Sequence, residues 1–129
     1  MSTKTKYYAI NSCELLASTG NASKIEIKYA IADDKQGTQN LEELNIVMNV
    51  SYSVVMAEQL KNKTAMFAVA YLREKIEKAL ENGEITPKED ISITSYDKNF
   101  PKIPDVIDMR LEEWFEVVVI DKPMGFLSI

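Results

Sequence analysis

The densest group of chemically capable side chains is acidic: Asp105, Asp108, Glu112, Glu113 and Glu116 surround Trp114, the chain's only tryptophan. On a helix, Asp105, Asp108 and Glu112 fall at intervals of three and four and share one face. Two chemistries are open to such a face. It can coordinate a divalent cation through carboxylate oxygens, or it can present negative charge to Lys and Arg side chains of a protein partner. The second is the stronger expectation, with Trp114 and Phe115 as aromatic anchors of the kind that dominate interface energetics. The expected partner-binding residues are Asp105, Asp108, Glu112, Glu113, Trp114 and Glu116, set against the plainer reading of a solvated helix face. No residue is assigned to catalysis, to a metal or to a cofactor.

Elsewhere the chemistry is subtractive. The chain has no histidine and one cysteine, Cys13, so a Ser-His-Asp triad, a Cys-His pair or a histidine-ligated zinc cannot be assembled within one subunit. Asp34, Gln36, Gly37 and Glu43 match part of the spacing of a calcium loop, but its first position is Ala32 where an Asp ligand is required, and the flanks read as strands. Residues 33–37 are therefore read as a turn. Asp33 and Asp34 have no further carboxylate at a defined spacing for acid–base work, and no glycine-rich phosphate loop exists. Cys13 falls within a predicted strand and reads as a small buried hydrophobe.

These side chains have to be held by a chain of 129 residues, 46% of them hydrophobic, with four Gly and four Pro. That is the size and composition of a single globular domain spanning residues 1–129. The net charge of −5 is uneven: residues 84–129 hold ten acidic and five basic side chains, while the rest of the chain is balanced. An acidic chain without a basic stripe gains nothing from counterion release, so direct nucleic-acid binding is not expected. The longest apolar run, residues 65–72, is far short of a bilayer span. A single cysteine and the absence of an apolar leader make the cytoplasm the expected compartment, with no membrane partner.

Alternation is the clearest structural signal. Ile25, Ile27, Tyr29 and Ile31 interleave with Glu26, Lys28 and Ala30, and residues 18–21 supply a turn that joins this strand to residues 7–17 as an antiparallel hairpin. From Asn45 to Met56, Ile46, Met48, Val50, Tyr52, Val54 and Met56 line one face, with Asn45, Asn49, Ser51 and Ser53 on the other. Residues 62–82 read as a long helix, capped by Asn62 or Thr64 and ended by Asn82-Gly83. Its buried face is expected to carry Phe67, Ala70, Tyr71, Ile76, Ala79 and Leu80, with Arg73, Glu77 and the Glu74–Lys78 pair in water. A rival assignment makes residues 64–71 a fourth strand, and the shortage of β-branched residues speaks against it. The all-round apolar stretch 65–72 requires a second covering element or a subunit interface.

Residues 91–96 read as a short strand, Pro104 opens a short C-terminal helix, and residues 117–120 form a final strand. The expected fold is α+β: an antiparallel meander of three or more strands, packed on one face by a long helix, with a short C-terminal helix and a final strand. The acidic meander followed by a helix reading Tyr71-Leu72-Arg73-Glu74 resembles the SecB-like export chaperones over about half the chain. It departs from them after the third strand and adds a C-terminal strand, so their peptide-binding function is not carried over as the main expectation. The expected function is a non-catalytic interaction module, such as an inhibitor, immunity-type factor or adaptor, that presents an acidic surface to a basic protein partner and is able to homodimerise. Behind it stand a small carboxylate-based enzyme or ligand carrier with a pocket between sheet and helix, and a structural component of a phage or mobile-element assembly.

Overall fold

The structure is a computed structural model that describes residues 4–19, 22–51, 63–94 and 110–120. Strands β1 (Lys4–Ser18), β2 (Ala22–Ala32) and β3 (Glu42–Ser51) are followed by the helix α1 (Thr64–Glu81), then by β4 (Ile91–Thr94) and β5 (Phe115–Val119). The five strands form one sheet in the order β4-β3-β2-β1-β5. The fold is α+β.

The sheet is mixed, which corrects the expectation of an antiparallel one. β1 pairs with β2, β2 with β3 and β1 with β5 in antiparallel fashion, but β4 runs parallel to β3, with Met48 opposite Ile91 and Val50 opposite Ile93. The chain reaches β4 only after passing through α1, and a crossover of that length returns a strand in the same direction, whereas a tight hairpin reverses it.

Period two sorts the side chains. In β2, Ile25, Ile27 and Tyr29 are fully buried, and their partners Met48, Ile46 and Leu44 on β3 share their face. This face meets Phe67, Val69, Leu72, Ile76 and Leu80 of α1 in one core cluster. The buried stripe of α1 differs from the expected one: Ala68, Val69 and Leu72 are buried, while Ala70 and Tyr71 are only partly so. Arg73 and Glu77, expected in water, are half-buried, because the Arg73 guanidinium lies 4.0 Å from the centre of the Phe115 ring and Glu77 sits beside Tyr8. The other sheet face is sealed over part of its area. Ala9, Ala30 and Ala32 alternate with core residues and are also buried.

The helix is 18 residues long, shorter than expected at both ends, and its first turn carries no side-chain cap. Lys63 occupies the N-cap position in place of Asn62 or Thr64, and Thr64 is already helical. The C-terminus closes with Gly83 at φ 69, whose N–H donates to Leu80 O while Glu84 N–H donates to Ala79 O. This pair of bonds satisfies carbonyls that the helix itself leaves open, and glycine tolerates the left-handed conformation it needs.

The expected short C-terminal helix is corrected in its last part. Residues 104–109 lie outside the described residues, and residues 110–114 are not helical. Glu112 has φ 61, and its N–H donates to Ile10 O at 2.8 Å, so this stretch is laid along β1 as the lead-in to β5.

Candidate functional site

Of the acidic group, the described members Glu112, Glu113 and Glu116 do not lie on a helix. Asp105 and Asp108 lie outside the described residues. Glu112, Glu113 and Glu116 are exposed but strung along the lead-in and β5, and Glu113 pairs with Arg110 at 3.1 Å. Trp114 is not a free aromatic anchor. Its ring lies against the β2–β3 loop at Gly37, where a Cβ would stand 2.2 Å from Trp114 Cζ2, and Gly37 has φ 71. Phe115 is committed as well: it packs on Tyr8 with ring centres 5.6 Å apart and carries the Arg73 and Arg110 guanidinium groups over its ring.

The turn at residues 33–40 uses its carboxylates internally. Asp34 accepts hydrogen bonds from the N–H groups of Thr38 and Gln39, each at 2.8 Å, and from Thr38 Oγ1 at 2.6 Å. Asp33 accepts from Lys6 Nζ and from Asn40 Nδ2. These donors stabilise the ionised forms and hold both carboxyls below the usual range, led by the side-chain bond from Lys6 for Asp33 and the backbone N–H of Gln39 for Asp34. No cluster of three or more His, Cys, Asp or Glu suited to a metal ion occurs among the described residues. The Cys13 thiol, half-buried and 3.9 Å from Ala65 O, is pushed up by burial, away from the thiolate that a nucleophile requires.

A cleft of about 380 Å³ opens where the C-terminus of α1 meets the start of β1, with Lys4, Lys6, Glu42, Glu84, Thr86 and Lys88 in its wall. Two of its lysines are paired, Lys88 with Glu42 across the cleft and Lys6 with Asp33 outside it. Asn49 and Ser51 line a smaller depression of about 200 Å³ beside the β1–β2 hairpin. The cleft wall holds the carboxylates Glu42 and Glu84, and the smaller depression holds none.

The feature that sequence reasoning missed is the far half of β1. β5 covers the outer side of β1 only over Lys4 to Tyr8, and the bond from Glu112 extends the cover to Ile10. Beyond that point no described residue flanks the strand on its outer side, although β2 continues to pair with it as far as Ser18. Leu15 and Leu16 there are 53% and 46% exposed. Two bulges, at Asn11 and Leu16, bracket a regular stretch between them. The only signal in the sequence is the length of the apolar-rich segment from Tyr7 to Ala17 compared with that of the final strand.

No family model, curated protein or solved structure matches the chain. No helix among the described residues is long and apolar enough to cross a membrane.

Proposed function

We propose that this protein is a non-catalytic interaction module that receives an extended segment of a protein partner along the outer edge of β1. The observation that carries this reading is an unflanked strand edge, among the described residues, with two half-exposed leucines. Such an edge presents backbone N–H and C=O groups for strand addition, and its side chains supply contact area. The acidic run around Glu112, Glu113 and Glu116 is a second docking surface, favoured by the exposure of all three side chains. The proposed setting is the cytoplasm, supported by the lone cysteine.

The test is capture of a stoichiometric partner by the wild-type protein, compared with a Leu15→Asp/Leu16→Asp variant and a Glu112→Lys/Glu113→Lys variant. Loss in the first variant alone supports the β1 edge, and loss in the second alone moves the site to the acidic run. Undiminished capture by both overturns the reading.

A further inference from the structure

We infer that the occupant of the β1 edge is a basic partner strand, in which Lys or Arg alternates with apolar residues, its cation seated beside Glu14 and its apolar side chain beside Leu15. The inference rests on the strand-docking reading above and adds the chemistry of what docks.

The pairing register sets the two rows. Ser12 and Glu14 stand opposite Lys28 and Glu26, on the face away from α1, whereas Cys13 and Leu15 stand opposite Ile27 and Ile25, on the core face. A strand added outside β1 continues both rows, because successive side chains of every strand in a sheet alternate between its faces. Its residue in the first row meets Glu14. Glu14 already faces a like charge across the ladder at Glu26, an unfavourable pairing. Glu26 has Asn45 Nδ2 at 3.4 Å on its far side, and Lys24 and Lys28 lie along its own strand as diagonal neighbours of Glu14 as well, all of them on the β2 side of Glu14. Glu14 is the sole charge on β1 between the two bulges, and the side of it away from β2 is where a cation relieves that repulsion. In the second row the incoming residue covers Leu15.

The same charges argue against a second copy of the chain. Antiparallel pairing of two β1 edges about a twofold axis brings Glu14 and its symmetry mate to one face of the new seam, each beside its own Glu26, between chains that each carry −5. The bulges at Asn11 and Leu16 bend the strand at both ends of the regular stretch, a device that resists indiscriminate edge pairing and favours a short, matched occupant.

The experiment uses two end-blocked peptides about nine residues long, enough to span residues 12–18 at roughly 3.3 Å per residue. One alternates Lys with Val and Thr, and the other carries Glu at the Lys positions. Amide exchange of residues 12–18 and peptide affinity are followed at low salt. The expected result is slowed exchange there, about fivefold tighter binding of the Lys peptide, and an inverted preference in the Glu14→Lys variant. Equal protection by both peptides overturns the basic-partner inference while strand docking stands. If neither peptide slows these amides, strand docking at this edge is itself overturned. Slowed exchange that grows with protein concentration and a doubled mass, without peptide, makes the second copy the occupant and also overturns the inference.

Discussion

The two halves of β1 are built from similar residues and end in opposite environments. Tyr8, Ala9 and Ile10 are fully buried between β2 and the β5 side, Tyr8 and Ile10 on the α1 face and Ala9 on the other, while residues 14–19 are all exposed although Leu15, Leu16 and Ala17 are no more polar. Residue type does not distinguish the halves. What distinguishes them among the described residues is a neighbouring strand on the outer side, and β5 is only five residues long against the fifteen of β1. Apolar burial scales with the area removed from water, so the same leucine that would contribute to the core under α1 contributes little at the open end.

The largest effect that tests this contrast is truncation. Ile10→Ala should cost about 2–5 kcal/mol, the range for a buried aliphatic side chain whose site cannot collapse, and Leu15→Ala under about 1 kcal/mol. Urea unfolding of the two variants decides it, and equal losses would mean that the far half is covered as well as the near half. Next in size is Gly37→Ala, expected to destabilise by roughly 2–3 kcal/mol because the left-handed backbone and the Trp114 ring both oppose a methyl group. A thermal melt with tryptophan emission reads both the loss and the displaced indole, and an unchanged emission maximum with full stability would detach Trp114 from the loop.

Tyr8 offers a smaller effect with a distinctive pH signature. Its hydroxyl is buried without a hydrogen bond of good geometry, although Glu77 and Arg73 lie beside it, and burial first, then Glu77, push its ionisation well above the ordinary value of 10.0. Tyr29 is also raised, again chiefly by burial. The folded protein therefore keeps these protons at a pH where the unfolded chain releases them. Their linkage leaves stability intact below pH 10.0 and lowers it progressively above. Tyr8→Phe should be neutral or stabilising by up to about 1 kcal/mol at neutral pH and should flatten the alkaline decline, as equilibrium unfolding between neutral and strongly alkaline pH would show. An equally steep decline in the variant would rule Tyr8 out as its source. The smallest expected change is that of Leu16→Asp, within about 0.5 kcal/mol of wild type by the same measurement, and a larger loss would show that the bulged leucine is already packed.

How much was legible depended on the range of the deciding interaction. β2 was readable because one face is buried along its whole length, so Ile25, Ile27, Tyr29 and Ile31 repeat with the strand period. Gly83 announced the end of α1 because the cap is a local backbone requirement. The burial phase of α1 was less readable: Arg73 and Glu77 look like solvent positions until Phe115 and Tyr8 are placed beneath them. Parallel β4 carries no local mark of its direction. The acidic spacing of residues 105–112 has helical periodicity, yet at Glu112 the bond to Ile10, far away in sequence, holds the chain along a strand. For the same reason the acidic run was visible by composition, and the edge of β1 that no described residue flanks was not.

The sequence by itself determined the periodicities, the helix stop and the excess of negative charge, because each depends on residues a few positions apart. Only the tertiary structure decided that β4 is parallel, that Trp114 is spent on Gly37 and that β5 stops short of Leu15. Those outcomes depend on which distant segments lie side by side, and on how far each extends, so no local pattern encodes them.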